Sequence, residues 1–268
     1  MRRPVRVDAV TSDHGPDGPL TVRTDTATYR ARVVINATGT WDRPYWPHIP
    51  GRETFAGRQL HTHDFRSADE LRGLDVVVVG GGTSAVQFLL QLDGVAARTT
   101  WATRRPPQWT DAPFDTEWGA DVERRVRERT LAGLPTLSVV AATGLPLTQE
   151  YRRGIASGLL VSRGMFTRIT PDGVVFPPGT GASPGSTAET VHADVILWAT
   201  GFRPSVDHLA PLHLHEPGGG IRTDGTLVAR EPRLLLAGYG ASASTLGATR
   251  AGRRAARAAA RRVAKPAL

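Results

Sequence analysis

Residues 76–90, Val-Val-Val-Val-Gly-Gly-Gly-Thr-Ser-Ala-Val-Gln-Phe-Leu-Leu, restrict the fold more than any other stretch. Four β-branched residues in a row predict a strand buried on both faces, the glycines predict a tight turn, and the apolar spacing that follows predicts a helix. Strand, glycine turn and helix in that order open a dinucleotide-binding unit. Gly80 is expected to make the turn, Gly82 to let a pyrophosphate approach the main chain, and Ala85 to permit close helix–strand packing. Gly81, Thr83 and Ser84 complete the loop and the first helical turn, whose free N–H groups and positive dipole end suit phosphate. A buried turn without a ligand is the competing reading, and the strand before and helix after argue against it.

A second strand is expected at Arg98–Thr103, ending in Arg104-Arg105-Pro106-Pro107. An NAD site carries an acid about 20 residues beyond the glycines for the ribose 2′-hydroxyl, whereas guanidinium groups suit a 2′-phosphate. Arg104 and Arg105 therefore favour NADP; the competing reading is a solvated basic turn.

Composition narrows the classes. The 268 residues hold no cysteine, which excludes disulfide and thiolate-metal chemistry by this chain's own side chains. The net charge is +8, yet Lys265 is the only lysine. Arg250, Arg253, Arg254, Arg257, Arg261 and Arg262 lie among alanines at helical spacing, which reads as a solvated face with Ala251, Ala255, Ala256, Ala258 and Ala259 available for packing. No aromatic platform accompanies them, so nucleic acid is not an expected partner. No apolar run approaches the ~20 residues of a membrane span, and the expectation is a cytoplasmic protein acting on a small molecule, with homo-oligomerisation left open. The pairs His61/His63 and His213/His215 share strand periodicity with Asp64 and Glu216, but third and fourth ligands are lacking, so no metal is expected. These histidines read as surface or linker residues. Gly181-Ala182-Ser183-Pro184-Gly185 mimics a nucleophile elbow without the strand and helix that such a turn needs.

In chain order, the pattern predicts an antiparallel meander over 3–35 and a buried strand, Val33–Asn36, running into Ala37-Thr38-Gly39. Prolines then stiffen Trp41–Gly51. An amphipathic helix is expected around Asp121–Arg129, short strands and turns over 137–176, and a loop over 177–189. Ala193–Trp198 repeats a strand that leads to Ala199-Thr200-Gly201. Arg233–Ala237 predicts a strand meeting a helix past Gly238-Tyr239-Gly240, with Ser242, Ser244 and Thr245 as candidate N-caps.

Ala37-Thr38-Gly39, the following prolines, the spacing Phe55-x-Gly57-x-x-x-His61-x-x-x-Phe65, and the Gly80 motif together resemble the flavin-containing monooxygenases and their bacterial relatives. The resemblance implies an α/β flavoprotein with two dinucleotide-binding domains: a partial FAD domain at 1–66, an inserted NADP domain at 67–198, and a return to the FAD domain at 199–268. It implies Thr38, Gly39, Thr200, Gly201, Gly238, Tyr239, Ser244 and Thr245 as further cofactor-binding residues beside Gly80–Ser84, Arg104 and Arg105. Hydride would pass from NADPH to FAD, followed by activation of O2; no catalytic side chain is assigned. Phe65 stands where Baeyer–Villiger relatives have tryptophan, which favours oxygen transfer to nitrogen or sulfur.

The glycine fingerprint that opens the family's FAD domain is absent from the 268 residues. A start assigned too late is the favoured expectation, ahead of a degraded fragment or a chain completed by another polypeptide. The alternatives are a non-catalytic NADP-binding module without flavin, and an NADPH-dependent flavoprotein reductase that inserts no oxygen.

Overall fold

The computed structural model describes residues 4–13, 15, 17–111, 116–136, 144–180, 187–243 and 245–264, with main chain only at 116–120, 122, 241, 245 and 246. The elbow-like 181–185 and Ser244 lie outside the described residues. Two compact units divide the chain: Met1–Arg43, Pro113–Ala142 and Pro204–Leu268 form one, Pro44–Ala112 and Thr143–Arg203 the other.

The first unit begins with the meander, β1 (Val7–Thr11), β2 (Leu20–Thr24) and β3 (Thr28–Ala31), paired antiparallel in sequence order. A four-stranded sheet follows from β4 (Val34–Asn36), β14 (Thr223–Asp224), β15 (Leu227–Val228) and β16 (Leu234–Leu236), in the order β14-β15-β16-β4. Only β16 and β4 pair in parallel, with Leu234 opposite Val34 and Leu236 opposite Asn36. Strand alternation sends Leu234 and Leu236 into a core with Val10, Leu20, Leu209, Ile221 and Tyr239, and Leu235 to the opposite face. The expectation that β4 is wholly buried fails at Ile35, which is 44% exposed because β4 is the sheet's edge among the described residues. Buried Arg233 holds the meander to β16: it pairs with Glu231 and donates to the carbonyls of Gly15 and Gly18. Helix α2 (Thr116–Leu131) packs on β14 and on the 3-10 turn Gly240–Ala243, and so belongs with this unit rather than with the sequence around it. Helix α4 (Thr245–Ala264) buries Ala251 and Ala255 and exposes its arginines; Ala256 faces solvent instead of packing.

In the second unit, β5 (Arg58–His61), β6 (Asp75–Val79), β7 (Arg98–Ala102) and β13 (Val195–Trp198) form a wholly parallel sheet in the order β5-β13-β6-β7. Its pairing with β13 carries β5 into this unit, away from the expected first domain. Val76–Val79 are at most 3% exposed because β6 is central, with a strand on either side and side chains covered on both faces. Val77, Val79, Ile196 and Trp198 pack against Ile169, Val174 and Phe176. These come from a second, antiparallel sheet, β10 (Arg168–Thr170), β11 (Gly173–Phe176) and β12 (Glu189–His192). Helix α1 (Thr83–Leu92) buries Ala85, Val86, Leu89 and Leu92, the apolar stripe of an amphipathic helix. A two-residue pair, β8 (Trp109–Thr110) with β9 (Leu145–Pro146), precedes helix α3 (Gln149–Ala156), which the sequence reading treats as turns.

Candidate functional site

The β6–α1 turn has a steric demand at one glycine and a steric vacancy at another. Gly80 adopts φ +143°, and a Cβ there would lie 2.2 Å from the Ala199 carbonyl oxygen. Only glycine fits, because both the dihedral and the clash exclude a side chain. Its amide donates to the Ala102 carbonyl and its carbonyl accepts from the Trp101 indole at 2.7 Å, so the turn is pinned from β7. Gly82 caps α1 in an extended conformation, φ −107°, with no side-chain cap, and a Cβ there would meet nothing within 4 Å. Glycine suits a helix N-cap, and the open space over it leaves the main chain of the helix N-terminus accessible. Ala85 is fully buried, consistent with close packing of α1 on the sheet.

Three parallel strands end together here. Beyond β6 lies the glycine turn; beyond β13, Ala199 donates to the Val79 carbonyl and leads into Thr200 and Gly201. Beyond β7, Thr103 approaches the position of a Gly81 Cβ to 4.0 Å, which brings Arg104 and Arg105 to the flank of the turn. Both arginines are exposed, and neither has an ion pair among the described residues. Open parallel sheets bind ligands in such crevices at the carboxyl ends of their strands. Thr200 and Gly201 also hold the Pro44–Trp46 segment, with the Gly201 carbonyl accepting from the Tyr45 amide at 2.9 Å.

In the first unit, β4 and β16 each end at a left-handed glycine, Gly39 (φ +64°) and Gly238 (φ +84°). The two turns adjoin, since a Cβ on Gly238 would lie 3.7 Å from the Gly39 Cα. A polar chain braces the first turn: His208 Nε2 meets Asn36 Oδ1 at 2.7 Å, Asn36 donates to Thr38 Oγ1, and the Thr38 hydroxyl reaches the Ser205 carbonyl. Ser242, expected as a helix cap, instead accepts from the amides of Gly238 and Tyr239 and donates to the Tyr239 carbonyl. Tyr239 is a core residue whose hydroxyl accepts from the Ile221 amide at 2.9 Å. Thr245 opens α4.

His61 departs from the expectation of a surface or linker histidine: it is fully buried between Trp46 and Phe202, ring centroids 5.5 and 5.0 Å away. Burial lowers its pKa, opposed by the Gly201 carbonyl and the charge of Asp64. Its Nδ1 accepts from the His63 amide and the His61 amide donates to Asp64 Oδ2, so these residues build a turn. A different grouping, Asp75, His192 and Asp194, has metal-like spacing. There Asp75 is taken by Arg98 at 2.6 Å and Asp194 by the Asp75 amide at 2.8 Å, which accounts for both carboxylates.

A family model, pyridine nucleotide-disulphide oxidoreductase, matches residues 2–141. The chain belongs to this family. Its likeness to the flavin-containing monooxygenase of Stenotrophomonas maltophilia extends over 97% of this chain and 71% of that one, at 30% identity and a TM-score of 0.70. The trimethylamine monooxygenase of Pelagibacter ubique is 44% identical over 66 residues, 25% of this chain and 15% of its own. A Baeyer–Villiger monooxygenase of Streptomyces coelicolor is 28% identical over 221 residues, 68% of this chain and 42% of its own. The chain thus spans less than half of these two curated relatives. It is a flavin monooxygenase-like oxidoreductase sequence of α/β fold, and FAD and NADPH are the cofactors of that group. The disulphide chemistry in the family's description has no thiol to use here, since the chain lacks cysteine. Among the described residues no helix is long and apolar enough to cross a membrane.

Proposed function

We propose that the chain is part of an FAD- and NADPH-dependent cytoplasmic monooxygenase that transfers oxygen to a nitrogen or sulfur centre of a small molecule. The vacancy over Gly82 carries the nucleotide half of the reading, because it leaves the main chain of a helix N-terminus open to a pyrophosphate. Main-chain amides of Gly82, Thr83 and Ser84 would hold a pyrophosphate, and Arg104 and Arg105 a 2′-phosphate. Thr38, Gly39 and Gly238 would offer the flavin a surface without side-chain bulk, with the N-terminus of α4 favouring negative charge. The bound flavin and nicotinamide supply the redox chemistry; the chain orients them and excludes water. A nitrogen centre is supported by the trimethylamine relative and by Phe65, packed on Phe88 at 4.5 Å.

The test combines the purified 268-residue chain with FAD and NADPH, and supplies trimethylamine, dimethyl sulfide or cyclohexanone. Visible flavin absorption and an N-oxide or sulfoxide support the reading. A lactone from cyclohexanone overturns the choice of acceptor, and NADPH oxidation yielding peroxide alone indicates a reductase. A colourless protein that still binds NADPH is a nucleotide-binding module.

A further inference from the structure

Within the first unit, helices α2 and α4 and the β14–β15 turn border an open cavity of about 260 Å³ that the proposed cofactor sites do not use. Four arginines line it, Arg124 and Arg127 from α2 and Arg250 and Arg254 from α4, against one lining carboxylate residue, Glu123. We infer that this cavity binds a compact, multiply charged anion through phosphate or carboxylate groups.

The existing partners of these arginines are weak competitors. Arg127 meets Asp224 at 2.7 Å, and both side chains are more than half exposed. Arg124 is shared between Asp121 and Glu128 on its own helix, and Arg250 pairs with Glu123. Exposed pairs of this kind contribute little, so an entering dianion can replace them at small cost. Arg254 has no ion pair among the described residues, and its Nη1 lies 3.8 Å from where a Gly225 Cβ would stand. Gly225 itself needs a left-handed φ of +62°, and the absence of a side chain there keeps the turn's main chain open beside that guanidinium. Buried Thr130 and Thr226 close the inner side. Arginines from two helices border one space, and their planar forks suit phosphate and carboxylate oxygens once released from these partners. The volume is below the ~300–1,000 Å³ of drug-sized sites and suits a small metabolite.

Calorimetric titration of the full chain with pyrophosphate and, separately, citrate tests this. With the nucleotide site first filled by excess NADPH, saturable one-to-one binding is expected, weakened at least ~10-fold in the Arg127→Ala/Arg254→Ala double variant, with Arg254→Gln as a milder second probe. Tighter pyrophosphate marks a phosphorylated ligand, and tighter citrate a polycarboxylate. Absence of saturation with both probes, or binding that the Arg127→Ala/Arg254→Ala variant leaves unchanged, overturns the inference. Circular dichroism melting of each variant checks that the fold is retained.

Discussion

Replacing Gly80 and Gly82 by alanine, one at a time, separates what the β6–α1 turn needs to fold from what it needs to bind. At Gly80 the new methyl would sit 2.2 Å from the Ala199 oxygen and 2.8 Å from its carbonyl carbon, on a backbone at φ +143°. The dihedral alone costs about 1–3 kcal/mol, and relieving the overlap by moving β13 relative to β6 costs about 1–3 kcal/mol more. Taking the middle of both ranges, about 4 kcal/mol, Gly80→Ala should lower the melting temperature by roughly 8–16 °C. At Gly82 no atom lies within 4 Å and φ is −107°, so the folding cost is limited to losing a good N-cap residue, about 0.5–1 kcal/mol. A pyrophosphate seated on that main chain would meet the methyl directly, and NADPH affinity should fall at least ~10-fold, about 1.4 kcal/mol. Melting by circular dichroism and titration followed by NADPH fluorescence read the two quantities independently. Wild-type stability in Gly80→Ala would refute the steric account of the turn. Wild-type affinity in Gly82→Ala would refute the placement of the nucleotide.

Three further outcomes are expected. Arg104→Ala/Arg105→Ala should weaken NADPH by about 10-fold or more and leave NADH within ~2-fold, because only the 2′-phosphate needs the guanidinium groups; equal losses for both nucleotides would remove the arginines from that role. Burial lowers the pKa of His61 and of His208, so between their folded values and the unfolded value of about 6.5 the unfolded chain binds more protons. Stability is therefore full above that range and falls on acidification from pH 7 to 5, by up to ~1.4 kcal/mol per pH unit for each histidine; His208→Gln should flatten the dependence, and an unchanged slope would exclude His208 as a contributor. Arg233→Ala leaves Glu231 buried without its partner and frees the carbonyls of Gly15 and Gly18, so a loss of about 3–5 kcal/mol is expected in urea unfolding, with a loss under ~1 kcal/mol contradicting the bracing role.

What the sequence disclosed depended on how local the signal was. The β6–turn–α1 unit was legible because strand, glycine turn and apolar helical spacing follow one another within residues 76–90, and each implies its neighbour. Helix α3 was not, because its eight residues bury only Tyr151 and Gly154; the available signal was Thr148, whose hydroxyl accepts from the Tyr151 amide, with Glu150 in the first turn. His61 was read as a linker residue since its cover, Trp46 and Phe202, comes from distant segments joined by the Pro44–Phe202 bridge. Ile35 carried the pattern of a buried strand, but sheet order is a non-local property and leaves β4 at an edge among the described residues. The Arg127–Asp224 and Arg250–Glu123 pairs that draw arginines around the α2–α4 cavity likewise cross long sequence distances.

The parallel pairing of β16 with β4 joins residues about two hundred positions apart, Leu234 with Val34. On a ribosome adding ~5–20 residues per second, β4 waits about 10–40 s for its only pairing strand among the described residues. Meanwhile every strand of the parallel sheet β5-β13-β6-β7 has been made, so that sheet can be complete before β16 pairs with β4 in the first unit. The side of β4 that β16 will cover spends that interval unpaired, and the yield of folded protein should rise when synthesis is slow to initiate and nascent chains are sparse.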